Sequence, residues 1–291
     1  MYLALERYSR PATVEECLAL LAEAHDEPTA LIAGGTELNV RGHEELVHVI
    51  DLQALPFKEV RREGDLLRVG ALVTLSRLRR DPALQEPLFA GLREAAAGFA
   101  VVALQNRSTV GGRVCSDRGD QDLPPVLVAL GAKLRLLRPG RAGAVEEQVI
   151  DYPEGAAQRR ALRGALLAEV LLPPGPGQGA YRRFARTAVD APLCNAAVVR
   201  RPAGLRIAVN LQGPRAAHLK RLADTEALVA SWNTPGPGAW PQGWREAVRL
   251  CLMTELEAWS DAWASGEYRQ DVTATLVVRA LASVVGEEEV V

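Results

Sequence analysis

Two short glycine turns carry the clearest chemical signal in this chain. Ala33-Gly34-Gly35-Thr36-Glu37-Leu38 follows directly on the apolar run Ala30-Leu31-Ile32-Ala33. Paired glycines, lacking a Cβ, let the chain turn sharply and bring backbone N–H groups close to an anion. Thr36 adds a hydroxyl donor. Ser108-Thr109-Val110-Gly111-Gly112 repeats the combination further along. Either turn alone reads equally as a structural bend. Two of them, each beside a threonine and ringed by apolar residues, suit a pyrophosphate, which needs several convergent neutral donors. Asp122 then precedes Leu123-Pro124-Pro125. Its carboxylate suits the hydroxyls of a ribose, and equally suits the N-cap of a helix opening at the prolines.

Other chemistries find little support. His43 and His48 stand five apart, at the entrance to a strand, whereas a zinc helix motif needs them four apart on one helical face. Gly175-Pro176-Gly177-Gln178-Gly179 resembles a nucleotide loop but lies between two expected strands, and a dinucleotide fingerprint opens a helix. No Walker A sequence appears, and no Ser or Cys stands beside an evident base. Cys17, Cys115, Cys194 and Cys251 lie far apart with no C-x-x-C pair, which reads as free, mostly buried thiols. Any iron–sulfur cluster of the system is therefore expected on another chain. With 34 basic against 36 acidic residues, nothing favours nucleic acid as a partner. No apolar run reaches the roughly 18–20 residues of a membrane span, and the N-terminus lacks a signal-peptide pattern. A cytoplasmic protein is expected.

The elements that must position the turns can be read from periodicity and punctuation. Thr13 and Glu16 form a capping box before a helix through Cys17 and Leu21. Strands are expected at Ala30–Ala33 and Leu46–Ile50. A hairpin joins Lys58–Arg61 to Leu66–Val69 through Glu63-Gly64-Asp65. Helices are expected over Thr74–Arg80, Leu88–Phe99 and Pro125–Leu130, a polar glycine-rich loop over Asn106–Gln121, and a strand over Ala132–Leu137. The breaker run Pro173–Gly179 marks the main boundary. Beyond it come strands at Tyr181–Arg186, Ala196–Arg200 and Leu205–Leu211. Helices follow at Ala223–Ser231, Trp244–Trp259 and Tyr268–Val285, with the breakers Pro235–Gly238 between the first two. All five tryptophans fall in this last part. Trp244, Trp259 and Trp263 read as internal helix anchors, and Trp232 and Trp240 as candidates for a docking surface. The fold class is α+β, with 1–53 a small αβ subdomain, 54–172 a larger mixed α/β subdomain, and 173–291 a βββααα domain.

Ala33-Gly34-Gly35-Thr36-Glu37-Leu38, Asn106-Arg107-Ser108-Thr109-Val110-Gly111-Gly112 and Asp122-Leu123-Pro124-Pro125 together resemble the FAD-binding medium subunit of the xanthine dehydrogenase and carbon monoxide dehydrogenase family. The resemblance covers nearly the whole chain, with Tyr181-Arg182-Arg183-Phe184 similar to the first C-terminal strand and Glu267-Tyr268-Arg269 opening the last helix. It implies that the N-terminal region is a two-part FAD-binding unit, and that both glycine turns hold the FAD pyrophosphate. It also places Asp122 by the adenosine end and the C-terminal domain over the isoalloxazine ring. Arg183 falls where relatives carry a basic residue near the flavin; read by itself it is an exposed strand arginine. Electrons are expected from a molybdopterin-binding large subunit, through iron–sulfur clusters on a small one. They leave FAD for NAD, quinone or oxygen, and the flavin rather than a side chain does the redox chemistry.

The chain also departs from the family pattern. Ala103-Leu104-Gln105-Asn106 stands for Gln-x-Arg-Asn, Arg113 for an Asn after the second Gly-Gly, and Gly119 for a Pro, within Asp117-Arg118-Gly119-Asp120. Arg113 either pairs with a phosphate or fills the space the cofactor needs. Two other readings follow: a flavin-free scaffold subunit of the same kind of complex, and a stand-alone flavoenzyme. The second lacks a convergent acid–base set for a substrate. The hydroxylase substrate, whether purine, carbon monoxide, aldehyde or aromatic acid, belongs to another subunit.

Overall fold

The computed structural model describes residues 5–24, 27–41, 45–116, 120–153, 157–211, 219–232 and 240–287. His43, the segment Asp117-Arg118-Gly119 and the breakers Pro235–Gly238, all read above, lie outside them. In chain order the elements are β1 (Arg7–Ser9), α1 (Val14–Glu23), β2 (Thr29–Ile32), α2 (Leu38–Arg41), β3 (His48–Asp51), β4 (Val60–Glu63) and β5 (Leu66–Gly70). Then come α3 (Leu75–Arg80), α4 (Ala90–Gly98), α5 (Val102–Gln105), α6 (Val110–Cys115), α7 (Leu123–Leu130), β6 (Lys133–Pro139), β7 (Val145–Asp151), α8 (Ala157–Leu162) and β8 (Leu166–Leu172). The C-terminal part holds β9 (Gln178–Phe184), β10 (Cys194–Arg201), β11 (Gly204–Leu211), β12 (Leu219–Arg221), α9 (Ala223–Ser231), α10 (Trp244–Glu255) and α11 (Gly266–Val285).

Three sheets organise them. The first has order β1-β3-β2, all parallel. Its edge strand Arg7–Ser9 has too little apolar content to be read from the sequence. The second runs β4-β5-β8-β6-β7 with every neighbouring pair antiparallel. The third is antiparallel, β12-β11-β10-β9. The expected three C-terminal strands are thus joined by a fourth, Leu219–Arg221, too short to give a period of its own.

Local chemistry sets the element ends. Thr13, Thr74, Thr109 and Ser265 each accept a backbone N–H in the first turn of the helix they open, filling donors that the helix leaves unpaired. In the capping box, Glu16 reaches back to the N–H of Ala12 at 2.7 Å. Gly131 and Gly286 close α7 and α11 in the left-handed conformation, which glycine adopts without a Cβ clash. The expected loop over Asn106–Gln121 is a correction, because α6 occupies its centre. The capping Thr109 turns the two glycines into a first helical turn.

α7 explains how the parts join. All eight of its residues are buried, because it lies against β10, β11 and β12 as well as α4. The third sheet is therefore covered on both faces, and its alternation shows it. Tyr181, Ala197, Val199 and Ala208 face the core built around α4 and α7. Ala180, Ala196, Val198, Ile207 and Val209 face α9 to α11. The strand period of two assigns each residue its side.

Three expectations need adjustment here. Trp244 is buried, but Trp232 and Trp240, expected at a docking surface, pack partly buried against the same C-terminal core. Trp232 and Trp240 stack edge-to-face at 5.2 Å, and Trp240 and Trp244 at 4.7 Å. Trp263, expected inside, is 63% exposed with the Arg186 guanidinium over its ring. Of the thiols, Cys17 and Cys194 are buried, Cys251 is intermediate and Cys115 is exposed. Among the described residues no helix is long and apolar enough to cross a membrane.

Candidate functional site

The first turn is held open by its neighbours. β2 ends at Ile32, and the Ala33 carbonyl accepts a hydrogen bond from Gln53 at 2.8 Å. Gly35 has φ +71°, where a side chain is strained. Its carbonyl accepts the Asn39 N–H, starting α2 at Leu38. Gly34 is required for a different reason: a Cβ there would lie 1.8 Å from the Arg107 carbonyl oxygen. The two turns thus touch through backbone. Arg107 Nε donates to the Gly34 carbonyl at 3.2 Å, and the Thr36 and Ser108 hydroxyls meet at 2.7 Å. The N–H groups of Gly34, Gly35 and Thr36 have no hydrogen-bond partner among the described residues.

The second turn is different. Val110 N–H donates to the Val73 carbonyl at 2.9 Å and Gly111 N–H to the Ala71 carbonyl at 2.8 Å. Gly112 N–H donates to Thr109 Oγ1 at 3.1 Å and Arg113 N–H to the Thr109 carbonyl at 3.0 Å. A Cβ on Gly111 would meet Ala71 Cβ at 2.8 Å. The N–H groups from Val110 to Arg113 are thus engaged within the protein, which corrects the expectation of free donors at Gly111 and Gly112. Gly111 serves close packing against the chain at Ala71, a contact that sequence spacing does not reveal.

A cavity of about 180 Å³ opens beside the turns. Thr36 and Glu37 line it from the first unit, Phe99, Ala100, Arg113, Asp120 and Asp122 from the middle, and Val189 to Ala191 from the β9–β10 connection. That is smaller than the roughly 300–1,000 Å³ of a complete ligand pocket, so it has room for only part of a nucleotide-sized ligand. Ala100, at φ 44°, is the one non-glycine residue at positive φ among those described. It bends the chain between Phe99 and α5.

Two buried ion pairs flank this space. Arg113 Nη2 lies 2.8 Å from Glu37 Oε2, and its guanidinium sits 4.6 Å over the Phe99 ring. Asp122 Oδ1 accepts from the Tyr181 hydroxyl at 2.6 Å and pairs with Arg183 Nε at 3.0 Å. Asp122 stands at the N-cap position of α7 but makes no capping hydrogen bond, so the capping reading of its side chain is set aside. Its Oδ2 has no protein partner among the described residues. Burial pushes the Asp122 carboxyl above the ordinary carboxylate range, against the opposing pull of Arg183, Tyr181 and Arg113. Burial and the neighbouring carboxylate likewise hold the Tyr181 hydroxyl well above its usual value. Tyr181 is therefore a hydrogen-bond donor at neutral pH.

Arg183 is not the exposed strand arginine of the bland reading. Its side chain is 15% exposed. Besides its ion pair with Asp122, it donates to the carbonyls of Ala188 and Asp190, fastening the β9–β10 connection over the cavity. Two further residues escaped sequence reasoning. Asn195 and Asn210, paired across β10 and β11, both donate to the Gln121 carbonyl at 2.8 and 3.3 Å. They share the face that carries Tyr181 and Arg183, and so anchor the backbone just before Asp122. The sheet register brings two of these side chains to the Gln121 carbonyl and two to the Asp122 carboxylate.

The donor set fits the diphosphate and ribose of FAD at two points: three unpaired N–H groups in a glycine turn, and an unpaired carboxylate oxygen beside the same cavity. Comparison with known proteins agrees with that fit. Residues 3–175 match the family model described as the FAD binding domain in molybdopterin dehydrogenase. The chain is 31% identical over 201 residues, 66% of each chain, to caffeine dehydrogenase subunit beta of Pseudomonas sp. (strain CBB1). It is 28% identical over 286 residues to the nicotine 6-hydroxylase medium subunit of Paenarthrobacter nicotinovorans, covering 94% of this chain and 95% of that one. A carbon monoxide dehydrogenase structure from Hydrogenophaga pseudoflava superposes with a TM-score of 0.80 over 98% of both chains, at 24% identity, and so shares the fold.

Proposed function

This chain belongs to the family of FAD-binding domains of molybdopterin dehydrogenases, and from that premise we propose that it carries electrons within a molybdenum hydroxylase complex. In this reading a small partner subunit holds iron–sulfur clusters and a large one the molybdopterin. Electrons pass through FAD on this chain to an external acceptor such as NAD, quinone or oxygen. Bound FAD supplies the redox chemistry. The chain's own residues bind, orient and shield it. Residues 1–53, 54–172 and 173–291 act as the two FAD-binding subdomains and the C-terminal flavoprotein domain.

The observation that carries the reading is the set of unpaired N–H groups at Gly34, Gly35 and Thr36. Gly34 is buried and Gly35 and Thr36 are half-buried; a donor left unpaired away from water costs about 1–3 kcal/mol, and a diphosphate would satisfy them. Ala33 and Leu38 frame that turn. Thr109, Val110, Gly111 and Gly112 support it from behind. Asp122 Oδ2 accepts a ribose hydroxyl, while Arg113 and Arg183 shape the cavity. No side chain acts as acid or base on a substrate.

The test is the absorption spectrum of the purified chain and of the supernatant after denaturation. A flavin spectrum that moves wholly into the supernatant is expected, since no attachment residue lines the cavity. Flavin retained in the pellet would refute non-covalent binding. One observation favours the flavin-free scaffold as a second reading: the donors of the second turn are committed to the protein itself. A colourless chain that takes up no added FAD, yet assembles with its partner subunits, would select it.

A further inference from the structure

We propose that the Arg113–Glu37 pair is a positioning brace for the phosphate-binding turn, not a phosphate ligand. This rests on the reading that the chain binds FAD. Glu37 directly follows Thr36, and Arg113 directly follows Gly112, so the pair ties the end of one turn to the end of the other. The contact is 2.8 Å, with the side chains 8% and 19% exposed. The guanidinium sits over the Phe99 ring at 4.6 Å. The bonds from Arg107 to the Gly34 carbonyl and between Thr36 and Ser108 complete the seam.

Charge decides against the alternative. For Arg113 to turn its charge toward a phosphate it would have to loosen from Glu37, weakening a mostly buried ion pair beside an incoming anion. Removing one partner of a buried ion pair is far costlier than the pair's net worth. In the intact pair the Glu37 carboxylate offsets the Arg113 charge that an incoming anion would meet. The pair also holds Thr36 and Glu37 in the orientation that leaves the turn's N–H groups facing away from the protein's own acceptors.

The experiment measures FAD and ADP affinity, by flavin fluorescence and calorimetry, for the wild-type chain and for Arg113→Asn, Glu37→Gln, the double variant and Arg113→Lys. The brace predicts that each of the two single variants binds both nucleotides more weakly, on the order of tenfold. ADP follows FAD because the diphosphate is common to both. The double variant should be no weaker than either single one, since neither charge then faces the place of a missing counter-charge. Arg113→Lys, which keeps a charge opposite Glu37, should recover most of the affinity. Melting of the ligand-free variants separates this from a looser fold, which would not produce the coupling.

Tighter binding by Glu37→Gln would mean that a freed Arg113 reaches the phosphate, and overturns the brace. Tighter binding by Arg113→Asn would make Arg113 a plug, with the same consequence. Wild-type binding with unchanged variants overturns the brace alone. A wild-type chain that binds neither FAD nor ADP overturns the functional reading and the brace together.

Discussion

The two glycine turns look alike in sequence and differ in what their backbones do. At Gly34-Gly35-Thr36 the chain leaves a parallel strand, and no helix of useful length follows to absorb the N–H groups. At Val110-Gly111-Gly112 the same residue types enter α6, and every N–H from Val110 to Arg113 finds a protein acceptor. One turn is a vacant set of donors; the other is a packing joint. A Gly-Gly-Thr combination therefore reports close approach of backbone, and the chain that approaches is that at Arg107 in one case and at Ala71 in the other.

The sharpest break of this contrast is Gly34→Val. With a Cβ 1.8 Å from the Arg107 carbonyl, the turns must separate, a clash beyond the roughly 1–3 kcal/mol of ordinary overpacking. Melting temperature and flavin content should both collapse. Near-normal melting would show that the seam between the turns is soft.

Gly111→Val tests the packing joint. Its Cβ would press on Ala71 Cβ and, at 2.9 Å, on the Ala71 carbonyl oxygen, costing roughly 1–3 kcal/mol of fold stability. The folded fraction should bind FAD with ordinary affinity, read by titration well below the melting point. A specific loss of affinity with unchanged melting would return Gly111 to the phosphate site and erase the distinction between the turns.

The two threonines sharpen the comparison further. Thr109→Val removes the cap on Gly112 and should cost about 1 kcal/mol of stability with FAD affinity unaltered. Thr36→Val removes the bond to Ser108, of similar size, and should also weaken FAD binding several-fold. Equal effects of both changes on affinity would contradict unequal roles.

The smallest expected effect is one of pH on the support of the first turn. His48, fully buried in β3, meets Arg7 through Nδ1 at 3.2 Å and Ser9 through Nε2 at 2.9 Å. A neutral ring with its proton on Nε2 satisfies both. Burial first, then Arg7, holds its pKa below the ordinary value, while Glu27 and Glu23 act weakly the other way. Since the folded state resists protonation, this contribution is present above a pH of about 6.5 and is lost as pH falls through the folded pKa. FAD should loosen and melting fall modestly below that pH, and His48→Gln should flatten the slope. An unchanged slope in the variant would assign the acid sensitivity elsewhere.

Much of the architecture was legible because it rests on local chemistry. The Thr13 capping box, the Gly64 hairpin, the all-apolar Leu123–Leu130 helix and the alternating β10 and β11 strands each follow from residue type and period. The short edge strands β1 and β12 were not, since three residues give no pattern and depend on a neighbour for pairing. Membership in an FAD-binding family was readable too, as the paired turns and Asp122-Leu123-Pro124-Pro125 keep their order and spacing in the chain. What only the tertiary structure decided was where each polar group finds its partner. Gly111 gives its N–H to Ala71, Arg113 pairs its charge with Glu37, and Asp122 accepts at Oδ1 from Tyr181 and pairs with Arg183, both from a distant sheet. Residue types specify which groups can donate or accept. Which of them remain free for a ligand depends on acceptors brought close by packing across the whole chain.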